Sequence, residues 1–543
     1  MNFKKNESSQ KLRGAYYTPA DLADFLASWV SVKNPDRILE PSCGDGVFFE
    51  GIARHVGDAE VQAFEIDGVE AKKAYQRAKT SGLSNVRIND KDFLGWAYWA
   101  MKQKSERFAA VVGNPPFVRY QYLPPLFQDL AGRIFRELDC KFTKHTNAWV
   151  PFILASMALL KRGGRLAMVV PAEIIHVTHA QSLRSYLGCE CSRLIVVDPE
   201  ELWFEGTLQG AVILLAEKKS SSRSRGEGLG IYPVRGREFL KTAPEEIFRT
   251  PHSINGKTVE GKWTRALLNQ STRSLLDELE YRDDVHRFDD IAEVNVGIVT
   301  GANKFFLIDD ETVRHYKLKK WAHPMFGRSE HCPGVIYDEM QHEENAAKGK
   351  PTNFVWFQDT SVEKNKLGQS YIKLGEDQDF HKRYKCRIRT PWYSVPSVYS
   401  TEIGMLKRSH DTPRLILNRL NAFTTDTAYR VRSSVGTAEQ LVYAFTNGLT
   451  ALSAELEGRH YGGGVLELVP SEIERLLLPL PTKIKPDVGD LDKAVRTMPA
   501  ELVLESQSKK VLGSLGLSNS DQAELLSGWR KLRNRRHRVP EAA

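Results

Sequence analysis

Val111-Val112-Gly113-Asn114-Pro115-Pro116-Phe117 closes a short apolar run. Two consecutive prolines remove two backbone donors and stiffen the turn. The Asn114 side chain and the Pro115 carbonyl remain as acceptors, with the ring of Phe117 just beyond them. That set suits a planar amine held by two hydrogen bonds and stacked on a ring; the plain alternative is a rigid turn after a buried strand. Upstream, Ile38-Leu39-Glu40-Pro41-Ser42-Cys43-Gly44-Asp45-Gly46 joins a strand to a helix beginning near Val47. Glycines at such a junction let the backbone approach a ligand closely, although the three-glycine dinucleotide fingerprint is incomplete. Glu65, in Ala63–Asp67, ends the next strand at the separation suited to ribose hydroxyls. Asp92, in Asp90–Phe93, ends the third. Each acid alone could be a solvated turn. In series they line one sheet edge and favour a nucleoside ligand.

The elements that must carry these residues alternate clearly through residue 217. Strand-like runs recur at Arg37–Leu39, Val61–Ile66, Val86–Asn89, Phe108–Gly113, Arg165–Val170, Arg193–Val197 and Ala211–Ala216. Helical patterns, such as Asp21–Val30, Val69–Thr80 and Trp149–Leu160, lie between most of them. The alternation predicts an α/β domain with a mainly parallel seven-stranded sheet, and ligands at the carboxyl ends of its strands.

In content and order these motifs resemble the TaqI-type γ-class adenine-N6 DNA methyltransferases, whose sites carry an Asn/Asp-Pro-Pro-aromatic tetrapeptide. The likeness covers roughly residues 11–217. Gly14–Pro19, His145–Trp149, Arg162–Leu166 and Trp203-Phe204 fit further motifs of that family. The resemblance implies a class I S-adenosylmethionine-dependent, Rossmann-like domain followed by an α+β target-recognition domain. It implies that Thr18 contacts the methionine end of S-adenosylmethionine, and that Glu40, Ser42, Cys43, Gly44, Asp45 and Gly46 shape its pocket. Glu65 would accept from the ribose hydroxyls and Asp92 from the adenine amine, with Ile66 and Phe93 packing on that ring. Asn114, Pro115, Pro116 and Phe117 would form the catalytic turn, Asn114 also bordering the cofactor, and Phe117 and Phe204 would stack on a flipped adenine. Two departures stand out. Phe117 replaces the commoner Tyr, which removes a hydroxyl but keeps the ring. Cys43 lies where a strict x-G-x-G pattern is broken, and reads as small buried packing, not a nucleophile.

The remaining features fix the setting. At 543 residues the chain holds two or three domains. Its six cysteines show neither zinc spacing nor a disulfide framework, and no metal is expected. The first residues lack the apolar core of a secretory signal, and no long apolar run crosses a membrane, so a bacterial or archaeal cytoplasm is expected. The polar stretch Glu217–Gly230 reads as a linker or exposed loop. The expected division is a catalytic domain over 1–240, a connecting segment over 241–289, a target-recognition domain over 290–485, and a helical basic tail over 486–543.

Residues 1–217 hold 26 basic and 25 acidic side chains, so nearly all of the net +8 lies beyond them. Lys304, Arg387, Arg389, Arg408, Arg414 and Arg419 are candidates for phosphate or base contacts, or solvated surface charges. Arg530–Arg538 could bind phosphate or form a solubilising tail. The expected partner is double-stranded DNA. A separately encoded restriction endonuclease and a monomeric state are also expected. Transfer to RNA adenine or a protein glutamine amide, and a decayed DNA-binding subunit, are the alternatives.

Overall fold

The computed structural model describes residues 17–104, 107–200, 210–256, 259, 261–461, 463–481 and 484–538. They form two compact units, dividing at Leu267/Leu268.

The first unit is built on one sheet. Its strands are β1 (Arg37–Glu40), β2 (Glu60–Phe64), β3 (Val86–Asn89), β4 (Phe108–Gly113), β5 (Leu160–Pro171), β6 (Cys191–Pro199), β7 (Ala211–Lys218) and β8 (Gly228–Val234), in spatial order β3-β2-β1-β4-β5-β7-β6-β8. All neighbours pair in parallel except β7, which runs antiparallel to β5 and β6. The order reverses between β1 and β4, and a crevice opens at such a switch point, outside the carboxyl ends of the strands.

Local chemistry explains the helices. In Ala20–Ser31, Leu22, Phe25, Leu26, Trp29 and Val30 are buried at helical spacing. Trp149–Leu159 is apolar all round, and all but one of its residues are buried, as such a helix must be. Asp67 and Asp92 cap the helices after β2 and β3, accepting from Val69 and Glu70, and from Gly95, respectively.

β8 corrects the expectation of a linker at Glu217–Gly230. The polar residues after Lys218 form only the turn, and Gly228–Val234 joins the sheet as an eighth strand. Its composition hid it. Gly228 and Gly230 sit where a Cβ would meet the Ile254 carbonyl at 2.2 Å and the Pro251 side chain at 2.7 Å. Pro233 is tolerated because the strand is an edge.

The second unit contains a five-stranded sheet ordered Ala292–Val296, Ala428–Ser433, Ile403–Leu406, Leu415–Asn418, Ile336–Tyr337, and a separate four-stranded sheet with its own aromatic core around Phe305, Phe354 and Tyr371. Within the expected helical basic tail over 486–543, the described residues form three helices, Val488–Thr497, Ala500–Ser514 and Asn519–His537. The last is anchored by Arg536, which is buried against the buried Glu455 at 2.6 Å. Among the described residues, no helix is long and apolar enough to cross a membrane.

Candidate active site

Four strand ends converge at the switch point. β1 ends in Glu40, β2 leads to Glu65, β3 to Asp92, and β4 to Asn114. The turn after β1 is shaped by Glu65, whose carboxylate accepts from the Gly44 amide at 3.0 Å and the Asp67 amide at 2.7 Å. The Cys43 amide donates to the Phe64 carbonyl at 2.9 Å, which ties the same turn to β2. Gly44 and Gly46 both take positive φ, +54° and +84°. At Gly46 a Cβ would also strike the Phe49 ring at 2.7 Å, so only glycine fits. Cys43 is buried and free, and burial pushes its thiol well up, consistent with packing.

The tetrapeptide turn is bound to two other motifs. Ser42 Oγ donates to the Asn114 carbonyl at 2.9 Å, and Asn114 Nδ2 donates to Thr18 Oγ1 at 3.1 Å. Thr18, Ser42 and Asn114, far apart in sequence, therefore meet at one point. Thr18 and Pro115 are buried, and Phe117 is half-buried against the sheet's hydrophobic core. Asp45 and Pro116 belong to the same two turns, at intermediate exposure.

Electrostatics single out Glu40. It is fully buried, and neither carboxylate oxygen has a hydrogen-bond partner. Burial raises its pKa well above the usual carboxylate range, and the neighbouring charges of Asp45 and Glu65 raise it further. Glu65 is also raised, mainly by burial, against the lowering effect of its two backbone bonds. A buried orphan carboxyl beside two more acids is a site prepared for a cation.

The adenine-side residues divide. Ile66 is 74% exposed and open to a ring. Phe93 is 2% exposed, with its ring among those of Phe64, Trp96 and Phe152. One oxygen of Asp92 caps its helix at 2.7 Å from the Gly95 amide. Phe204 lies outside the described residues.

The structure gives contacts to Asn147, which the motif reading included in His145–Trp149 without a role, and adds Glu173, which it missed. Asn147 Oδ1 accepts from the Tyr120 amide at 3.1 Å, and its Nδ2 donates to Glu173 at 3.1 Å. The Ala148 amide donates to the Val118 carbonyl at 2.9 Å. The chain leaving Phe117 is thus clamped to the start of helix Trp149–Leu159 and to the end of β5. Burial raises the Glu173 pKa, while Arg119 and Asn147 lower it. Glu173 follows β5 as Glu65 and Asp92 follow β2 and β3, so the strand-end pattern, extended one strand further, contained it.

The sheet order with an antiparallel β7, and a glycine turn facing acidic strand ends, define a class I S-adenosylmethionine-dependent methyltransferase. Residues 2–238 match the N-6 DNA methylase family, and residues 260–512 match the C-terminal domain of the type II methyltransferase M.Eco57I. Together these matches support an N6-adenine DNA methyltransferase of the restriction–modification type. It is 22% identical over 495 residues to the type II methyltransferase M.AccI of Acinetobacter calcoaceticus, covering 88% of this chain and 86% of that one. It is 23% identical over 482 residues to M.XamI of Xanthomonas campestris pv. amaranthicola, covering 86% and 85%. In fold it is similar to the cryo-EM structure of the DrdV–DNA complex, at a TM-score of 0.51 and 12% identity over 90% of this chain and 57% of that one.

Proposed function

We propose that the chain methylates N6 of an adenine flipped out of double-stranded DNA at a specific site. This corresponds to site-specific adenine DNA methyltransferase activity, EC 2.1.1.72. The observation that carries the reading is the joining of Asn114 to both Ser42 and Thr18, which brings the Asn114–Phe117 turn beside the Ser42–Gly46 turn.

S-adenosylmethionine supplies an electrophilic methyl group. The residues at the strand ends fit it. Glu40 offers an orphan carboxylate to a cationic ligand, Glu65 stands at the ribose position, and Ile66 presents an open apolar face to the adenine. Asn114 Oδ1 and the Pro115 carbonyl accept hydrogen bonds from the two N–H groups of the target amine. Two acceptors at a fixed angle draw the nitrogen towards tetrahedral geometry and localise the lone pair that the ring otherwise delocalises. The rest of the rate enhancement comes from positioning. Phe117, joined by Phe204, stacks on the extruded base and offsets part of the unstacking cost, with a ring worth about 1–3 kcal/mol per base.

The second unit selects the site on DNA. The enzyme acts as a monomer in the cytoplasm of its host and protects DNA from a separately encoded endonuclease.

Labelled S-adenosylmethionine and unmethylated genomic DNA, followed by digestion to nucleosides, test this reading. Label is expected in N6-methyladenine. Asn114→Ala is expected to lower kcat by about 100- to 1000-fold, the loss typical of one positioned polar group, while cofactor affinity changes far less. Near-normal turnover in that variant would show that Asn114 does not hold the amine.

A further inference from the structure

We propose that the basic segment Lys382–Arg389, with the turn at Val299–Lys304 locked beneath it, is a DNA-backbone grip of the second unit. The run reads Lys-Arg-Tyr-Lys-Cys-Arg-Ile-Arg, five cations in eight residues with no acid. Lys382 pairs with Asp379 at 2.8 Å, but three of the others are disposed unlike most cations on the molecule. Arg383 lies over the Phe380 ring at 4.5 Å, while Lys385 and Arg387 lie over Tyr384 at 5.7 and 5.5 Å. Among the described residues, none of Arg383, Lys385, Arg387 or Lys304 has a carboxylate within salt-bridge distance, and all four are exposed. By contrast Arg408, Arg419 and Arg530 are paired with Glu467, Glu439 and Glu501. Arg414 donates to the carbonyls of Cys332 and Pro333.

The surface is built, not incidental. Arg389 donates to the Thr300 and Val299 carbonyls at 2.8 and 2.7 Å, and Cys386 Sγ lies 3.8 Å from the Thr300 carbonyl. Gly301, at φ +80°, lets the turn pass so close that a Cβ would meet that of Lys385 at 2.6 Å. Two segments some eighty residues apart thus form one rigid face, and Arg389 is its tie, not a contact. Tyr384 and Ile388 stand 63% and 62% exposed between the cations. Unpaired cations held on rings, interleaved with exposed apolar groups, fit a polyanion that also presents groove surface. Duplex DNA, the substrate of this enzyme class, is that partner. Arginines over ring faces keep their donors aimed outward at little entropic cost.

The test measures binding of the full-length protein to a fluorescent mixed-sequence duplex across a salt series. The variants are Arg383→Ala/Lys385→Ala/Arg387→Ala and, as a charge-matched control, Lys241→Ala/Lys348→Ala/Lys509→Ala, which removes three exposed cations that have carboxylate partners. The triple variant is expected to raise Kd about tenfold or more, and to make log K against log salt shallower by about one per lost phosphate contact. The control should change neither. Should the triple variant not fold, the single changes Lys385→Gln and Arg387→Gln are each expected to reduce the slope by about one. An unchanged slope in folded variants would overturn the proposal even if affinity fell, because lost phosphate contacts must release fewer counterions. Failure of the wild type to bind any duplex would overturn the methyltransferase reading itself, and this surface with it.

Discussion

Glu40→Gln should weaken cofactor binding and, at neutral pH, strengthen the fold. The carboxyl is fully buried, lacks a hydrogen-bond partner and faces Asp45 and Glu65. Its folded pKa stands above its unfolded value, chiefly through burial. Its favourable contribution is therefore complete below the ordinary carboxylate range and is lost as pH rises, because the unfolded chain gives up the proton first. Within that window each pH unit removes about 1.4 kcal/mol of stability. Glutamine, which does not titrate, abolishes this slope. S-adenosylmethionine brings positive charge into the site, so its binding should ionise Glu40 and release a proton. A charge-assisted hydrogen bond contributes about 1.5–3 kcal/mol, so the variant's cofactor Kd should rise about 10- to 150-fold. Urea denaturation between pH 4 and 8, and calorimetric titration in buffers of different ionisation enthalpy, read the two effects separately. The reasoning fails if Glu40→Gln binds the cofactor like wild type, or if proton release persists without the carboxyl.

Three further outcomes rest on other contacts. Gly46→Ala should cost about 2 kcal/mol or more in urea denaturation, since a left-handed L-residue costs about 1–2 kcal/mol before the clash with Phe49 is counted. Gly44→Ala, with open space around its Cβ, should cost only the backbone term of about 1–2 kcal/mol. Glu173→Gln keeps an acceptor for Asn147 but removes the charge facing Arg119. Steady-state kinetics should show kcat reduced about tenfold, matching the loss of roughly 1.4 kcal/mol of positioning, with cofactor Kd unchanged; an equal fall in cofactor affinity would assign Glu173 to the cofactor pocket instead.

Much of the candidate site was legible because its chemistry is local. The Asn114–Phe117 turn, the glycine turn and the acids at Glu65 and Asp92 each declare themselves by residue type at a strand end. Glu173 and the role of Asn147 did not, because their meaning is a pairing across 26 residues. β8 was hidden by glycines that exist to let the Ile254 backbone and Pro251 pass. Phe93 shows what position alone leaves out. Its position after Asp92 suits a ring-packing role, yet the fold places it among three aromatic rings in the core.

By itself the sequence determined the strand–helix alternation, and with it the sheet, the crevice and the class of chemistry. Periodicity and turn chemistry are short-range, and both act before distant segments meet. Only the tertiary structure decided which charges are free. Six arginines and lysines of the second half looked equivalent in the chain. Folding gave Arg408 and Arg419 carboxylate partners, turned Arg389 and Arg414 onto backbone carbonyls, and left Lys304 and Arg387 exposed. A charge is neutralised by whatever lies within a few ångströms of it, and that neighbour is set by packing, not by spacing along the chain.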